Sequence, residues 1–477
     1  MRPKPIQSAE RLMNSFAVRT GIHGPADATR RYLWTDAYAV TTLIGLQRAT
    51  SVQQYLDDAI KLADLVHEVL GRHRPSDARL RNARVGWLSG LPEDEGARRP
   101  TAGGLRIGKP LRERAADEPL DERLEWERDG QYFHYLTRWM RALAELALAT
   151  GDASWSGHAV VLADTAARAF IHRPRAGGLR RIHWKMSLDL TRPLVASMGQ
   201  HDALDGFATY ARVRAVHRRL APGGRGAGVT VDACATATTG ATACATTCAT
   251  AGPSPSRSIL ADHIETLRAI CAAPGASFAT VDTLGIGGVL CAAHELSDLV
   301  AAGELDHAAA APGGPGEEAS ALTPDLAQVV TLLHTLLADA HRSLDAFVAA
   351  NELSRPLESR LAFRELGLAL GLHAIPAMAA AVDRRPDRFG SVVHAAALRS
   401  RLAAMSRLTV LAGHIEETWE LPAAQATPAW IDHRDIDSVM LAASLVAGAA
   451  ESAAAAAASP VAHAGLPRAA PAANARG

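Results

Sequence analysis

The sequence predicts an all-α fold, and more narrowly an (α/α)6 toroid of helical hairpins. Three observations carry that prediction. Apolar residues recur at helical spacing along most of the 477 residues, and no convincing series of alternating strands interrupts them. A helical hairpin recurs about one hundred residues on: Ala49-Thr50, Tyr55, Ala59 and Leu62-Ala63-Asp64 return as Ala149-Thr150, Trp155, Ala159 and Leu162-Ala163-Asp164, and Leu43 and Leu46 match Leu143 and Leu146. One such unit cannot bury its apolar face alone, so the units stack into a solenoid or close into a ring. Finally, six helices open with a polar or Gly-rich signature, near Asp36, Gly130, Gln200, Gly285, Arg360 and Arg434. Each but the last is followed by a plainer helix, and the N-terminal segment supplies the missing outer partner.

In chain order, Ser8 to Arg19 is amphipathic, with Leu12, Met13, Phe16 and Val18 on one side. Ala37 to Ala49 follows as an apolar helix. Ser51 with Gln54 reads as a capping box for the next helix, whose apolar side holds Tyr55, Ile60, Leu62, Val66 and Leu70, and Gly71 suits its stop. Residues 72–124 are too rich in Gly, Pro and Arg for regular structure and are expected to be a functional or disordered loop. Within it Gly103 to Lys109 has P-loop spacing, but Pro110 stands where a Ser or Thr should hold magnesium and no strand precedes it. Nucleotide binding is therefore rejected. Residues 221–258 form a low-complexity insert, using only Ala, Cys, Gly and Thr from Ala233 to Gly252, and are expected to be disordered. Helical patterns resume at Ile259–Ala272, Gly285–Ala302, Asp325–Asn351, Leu357–Val382, Val392–Gly413 and Asp435–Ala450. Residues 303–320 and the tail 451–477 are expected to be mobile, so residues 1–450 make a single domain. Gly285-Ile-Gly-Gly288 lacks the dinucleotide fingerprint and reads as close helix packing.

Composition narrows the function. Lys and Arg number 50 against 50 Asp and Glu, and no basic stripe carries interleaved aromatics, so nucleic acid is not an expected partner. Met1 to Ser8 is positively charged but has no apolar region behind it, which points to the cytoplasm. The most apolar run, Gly367 to Val382, is interrupted by His373 and Pro376, falls short of the ~20 residues a bilayer needs, and reads as a buried helix. Five cysteines without a CxxC pair are expected to be reduced thiols.

Arg31-Tyr-Leu-Trp-Thr-Asp36, Trp126 to Tyr135, Trp184-Lys-Met-Ser187, Met198-Gly-Gln-His-Asp202 and His433-Arg-Asp-Ile-Asp437 together resemble an uncharacterised bacterial family related to the six-hairpin glycosidase-like superfamily, which includes the N-acylglucosamine 2-epimerase type. The resemblance spans most of the chain except the insert and the tail. It implies the toroid more directly than it implies any chemistry, since function follows the site.

In a ring the inner helices run parallel, so the segments entering them emerge at one end. That end is expected to be a polar-aromatic pocket for a carbohydrate. The expected catalytic residues are Asp36, His134, His201 and Asp202. The expected substrate-binding residues are Trp34, Glu125, Gln131, Tyr132, Trp184, Lys185, Gln200, Arg364, Glu365, His433, Arg434 and Asp435. A glycosidase needs two carboxylates roughly 5 to 10 Å apart, one protonated. A sugar epimerase or isomerase needs groups poised to move a proton beside a carbonyl. Helix capping competes for Asp36 and Asp435, and a solvated stripe with Arg138 and Arg141 competes for His134. Trp139, deeper in its helix, reads as core, and Arg364-Glu365 as an inward ion pair or a pocket floor. No metal and no cofactor is expected, because His201-Asp202 and His433-Arg-Asp435 lack metal-site spacing. A non-catalytic carbohydrate-binding or helical-repeat scaffold protein is the alternative.

Overall fold

The computed structural model describes residues 4–24, 29–75, 84–175, 177–195, 197–220, 260–305 and 323–458, with side chains to 456. The low-complexity insert, residues 306–322 and the end of the Ala/Pro-rich tail lie outside the described residues. What is described is overwhelmingly helical, in agreement with the all-α expectation.

The helices are α1 (Lys4–Arg19), α2 (Leu33–Thr50), α3 (Gln54–Leu70), α4 (Glu93–Arg98), α5 (Glu122–Glu125), α6 (Phe133–Thr150), α7 (Ala153–Phe170), α8 (Asp202–Leu220), α9 (Ala261–Cys271), α10 (Thr283–Ala302), α11 (Pro324–Ala350), α12 (Ala362–Arg384), α13 (Val392–Ser406), α14 (Val410–Glu420), α15 (Pro422–Gln425), α16 (Pro428–Asp432) and α17 (Arg434–Ala458). Five strands of two or three residues stand between them: β1 (Gln131–Tyr132), β2 (Ile171–His172), β3 (Arg181–Ile182), β4 (Lys185–Met186) and β5 (Pro193–Val195). They form an antiparallel sheet in the order β1-β4-β5 and a separate β2-β3 pair. The sequence carries no warning of them, because two residues are too few to display a period.

Six helices contact one another in a closed cycle: α2 packs on α6, α6 on α8, α8 on α10, α10 on α12, α12 on α17, and α17 on α2. Each carries an outer partner, namely α3, α7, α9, α11, the α13/α14 pair and α1 respectively. This is the cyclic order that an (α/α)6 toroid requires, and α1 serves as the outer partner of the last inner helix. The repeated residues are its packing face: Leu43, Leu46, Ala59, Leu62 and Ala63, with Leu143, Leu146, Ala159, Leu162 and Ala163, are all at most 1% exposed.

Glycine sets the tightest contact. A Cβ on Gly287 of α10 would lie 1.9 Å from the Gly367 carbonyl oxygen of α12, and one on Gly371 would lie 2.7 Å from Gly287 Cα. Only residues without side chains let two helices approach so closely.

Several local expectations need correction. Ser51 makes no capping box; it takes a left-handed φ of 58° and ends α2, and α3 starts after Gln53 without a side-chain cap. Residues 72–124 are not irregular throughout. They contain α4 and α5, and Leu105 and Ile107 are wholly buried. The Gly103–Lys109 segment braces the entrance to α2, with Leu33 N–H donating to the Ile107 carbonyl at 3.0 Å. Val392–Gly413 divides into α13 and α14. α17 runs seven residues past Glu451, because alanine favours helix and Glu451 is held by His373. The apolar run from Gly367 belongs to a 23-residue helix. By length and composition α10, α12 and α17 are each long and apolar enough to cross a membrane, and all three belong to the inner ring.

Candidate functional site

The N-terminal turns of the six inner helices meet at one end, and contacts link them around the ring. Tyr32, just before α2, shares a 2.5 Å hydrogen bond with Tyr135 of α6. His134 of α6 lies 3.8 Å from Asp202 of α8. His201 faces the Phe278 carbonyl at 3.2 Å, on the segment leading into α10. Asp282, capping α10, pairs with Arg364 of α12 at 2.5 Å. Asp437 of α17 accepts from the Phe363 N–H at 2.9 Å, and the Phe363 ring lies 6.5 Å from Trp34 of α2. The cycle closes there.

Within this rim, His134 and Asp202 are adjacent and both shifted from their ordinary pKa values. Asp202 reaches back from the first turn of α8 to accept from Gly199 N–H at 3.0 Å. Burial, with the nearby Asp205 charge, pushes its pKa from the ordinary 3.8 up to about 7, against the Gly199 bond, which lowers it. The Asp202 side chain is 6% exposed. Burial, with the Arg138 guanidinium, holds His134 down at about 3, so its imidazole is neutral. Trp184 fixes the tautomer: its indole Nε1–H can only donate, and it does so to His134 Nδ1 at 3.1 Å. Nε2 therefore carries the imidazole proton. The β1-β4 pairing, with Tyr132 opposite Lys185, delivers Trp184 to this place.

Aromatic rings surround the pair. Tyr132 lies 5.3 Å from His134, Tyr135 4.8 Å, and Trp126 stands edge-on to Trp184 at 4.9 Å with its own side chain 44% exposed. Trp34 is buried and packs 4.5 Å from Tyr38. Trp139, read as core, is fully buried.

Other expected site residues are engaged elsewhere. Asp36 lies 3.8 Å from Arg31 and, from the first turn of α2, accepts from the N–H of the N-cap residue Tyr32 at 3.2 Å, a structural use at the helix entrance. Burial lifts its pKa to about 6 in spite of Arg31. Glu125 is buried between Lys185 at 3.0 Å and Arg114 at 2.9 Å. The Lys185 ammonium also donates to the Glu125 and Arg128 carbonyls, at 2.6 and 2.8 Å, so its three protons are used. Gln131 bonds Gly103, Leu105 and Leu188. Glu365 is held by Arg360 Nε and Nη2 and by Trp419, so it is no partner of Arg364. Asp435 pairs with Arg19 at 2.9 Å. Gln200 donates to the Ala279 carbonyl at 2.8 Å, and His433 and Arg434 are exposed at the edge.

Sequence reasoning passed over three members of the rim. Tyr38, Arg138 and Asp205 adjoin the pair: Arg138 donates to Asp205 at 3.2 Å and lies 5.8 Å over the Tyr38 ring. The spacing of His134 and Arg138 was the available signal, but a stripe facing the interior of a ring looks the same in sequence as one facing bulk water. Among the described residues no group of three or more His, Cys, Asp or Glu is arranged to hold a metal. A cavity of about 250 Å³ lined by Arg173, Arg180, Glu265 and Ile270 lies away from these groups and has no comparable chemistry.

No protein-family model matches the sequence, and no curated protein matches it. Among solved structures, the chain is similar to cellobiose 2-epimerase from Spirochaeta thermophila DSM 6192, with 11% identity and a TM-score of 0.43 over 95% of this chain and 100% of that one. A similarity at that level carries neither activity nor site residues across.

Proposed function

We propose that this protein is a carbohydrate-active enzyme that moves a proton at the carbon beside the carbonyl of an open-chain sugar, as epimerases and isomerases do. One observation carries the reading: a carboxyl poised at about 7 stands 3.8 Å from a neutral imidazole with a fixed tautomer. A general base is most effective with a pKa near the working pH, which suits ionised Asp202 for taking the proton from carbon. A neutral imidazole N–H suits polarising the carbonyl oxygen, and His134 Nε2–H supplies it. The enediolate, its oxygen hydrogen-bonded to His134, then takes the proton back from Asp202. On the neighbouring carbon, with the adjacent hydroxyl proton passing to the first oxygen, this gives the ketose; on the original carbon it gives the epimer once the enediolate has turned its opposite face to Asp202. The exposed Trp126 face and the Trp184 edge give a sugar apolar surface to stack on.

A second reading, glycoside hydrolysis, is favoured by one feature. Asp202 and Asp205 occupy contrasting environments one helical turn apart, Asp202 shielded and Asp205 paired with Arg138. Incubating the protein with free sugars and glycosides in D₂O, followed by NMR, separates the readings. Deuterium at the carbon beside the carbonyl, with epimer or ketose formed, is the expected result. Hydrolysis without exchange would support the second reading, and line broadening with neither would mean a binding protein.

A further inference from the structure

The face of α6 that carries His134 continues inward through Arg138, Arg141 and Glu145, at helical spacing. These side chains stay partly open to solvent, at 26, 18, 30 and 17%, although most of the intervening residues are buried. Tyr38, Thr41 and Gly45 of α2, Asp205 and Arg212 of α8, and Gly288, Cys291 and His294 of α10 show the same stripe of partial exposure. The four helices thus turn narrow polar stripes toward one shared interior, and ion pairs cross it. Glu145 meets Arg48 at 3.1 Å and Arg212 at 2.9 Å; Glu295 meets Arg212 at 3.3 Å and Arg141 at 2.7 Å.

In this chain of pairs the arginines outnumber the carboxylates they touch directly. Three guanidiniums share two carboxylates, because Glu145 and Glu295 each serve two arginines. Asp298, lower on α10, lies 3.5 Å from His294 and adds a more distant negative charge near Arg212. Arg141 spends Nη2 on Glu295 and Arg138 spends Nη2 on Asp205, and among the described residues neither guanidinium has a further hydrogen-bond partner. Their forks keep N–H donors for something else. A guanidinium fork with free donors matches a carboxylate or a phosphate, which accepts two parallel hydrogen bonds.

From these observations we infer that the ring interior selects a sugar carrying an anionic group, with Arg141 as its specificity-determining residue and Arg138 between that group and the reacting carbon. The inference rests on the proton-transfer reading above. Along α6, Arg138 is about 6 Å and Arg141 about 10 Å from His134. That is the reach of a six-carbon chain held at His134 with its terminal acid group on Arg141.

The test compares glucose with glucuronate and glucose 6-phosphate on the full chain, reading affinity by titration calorimetry and turnover by NMR in D₂O. At least tenfold tighter binding of one acidic sugar than of glucose is expected, and the better of the two identifies carboxylate or phosphate as the natural group. Arg141→Gln should abolish the preference while Arg141→Lys, which keeps the charge beside Glu295, retains part of it and controls for folding. If glucose binds and exchanges as well as both acidic sugars, the anion inference falls and the proton-transfer reading stands. A preference that survives intact in a folded Arg141→Gln protein overturns the assignment to this residue. If none of the three sugars binds, both readings fall.

Discussion

Replacing Asp202 with asparagine should stabilise the protein at neutral pH and abolish its chemistry together. The Asp202 carboxyl is almost wholly buried, accepts the Gly199 N–H at 3.0 Å, and has its pKa raised from 3.8 to about 7 by burial and by Asp205. Between those values the folded chain holds a proton that the unfolded chain has released. Stability therefore falls as pH rises from about 4 to about 7, and levels off above, by up to about 4 kcal/mol. An asparagine side chain cannot ionise, yet it keeps an oxygen for Gly199. Asp202→Asn should then gain about 2–4 kcal/mol at pH 8 and little at pH 4, seen as a Tm difference that widens between those limits. Proton exchange into bound sugar should drop by about 10²–10⁴, the usual worth of a general base. Thermal unfolding at pH 4.5, 6 and 8 beside the D₂O assay measures both quantities. A variant that is less stable than wild type at pH 8, or that still exchanges at the wild-type rate, would refute the reasoning.

Three further outcomes follow from other contacts. Trp184→Phe deletes the indole N–H that fixes the His134 tautomer, so exchange should slow about tenfold or more with little change in Tm; unchanged kcat would detach Trp184 from the reaction. Lys185→Met leaves Glu125 short of its buried ammonium and should cost about 3–5 kcal/mol, measured by urea unfolding. His373 is clamped between Glu416 and Glu451, both at 2.8 Å, and those carboxylates raise its pKa over the opposing effect of burial. Its raised pKa means the clamp stabilises the fold fully below about 6.5, the unfolded histidine value, and weakens as pH climbs through the folded one. His373→Gln should accordingly flatten the fall in Tm across pH 6 to 9, and an unchanged slope would count against the clamp.

The ring order was legible because packing repeats. Leu43 and Leu143, or Leu62 and Leu162, occupy equivalent places, and the six polar entrances mark the helices that contact in a cycle. Side-chain destinations were far less legible. Glu125, Gln131 and Lys185 stand in the most polar-aromatic stretch of the chain, but their bonds knit the β1-β4 sheet to the 103–128 segment. Local sequence cannot reveal a partner sixty residues away. Asp36 and Asp202 look alike as acids at helix entrances, and each does accept a backbone N–H there. What separates them is a neighbouring charge: Arg31 stands by Asp36, whereas Asp205 crowds Asp202. Arg138 and Arg141 read as a solvated stripe because a helix facing a wet interior carries the same pattern as one facing solvent.

The pairing of α1 with α17 has a consequence for synthesis. Chains emerge N-terminus first, so α1 waits through more than four hundred residues of translation before its partner exists. Until then α1, whose Ile6, Met13 and Phe16 are each about 1% exposed in the finished ring, lacks its main partner, and α2 lacks one of its two inner neighbours. Closure is thus the last event available to the nascent chain, and it depends on contacts between helices more than four hundred residues apart, the kind that form slowly. A ribosome that stalls before α17 leaves an open arc with a sticky leading end.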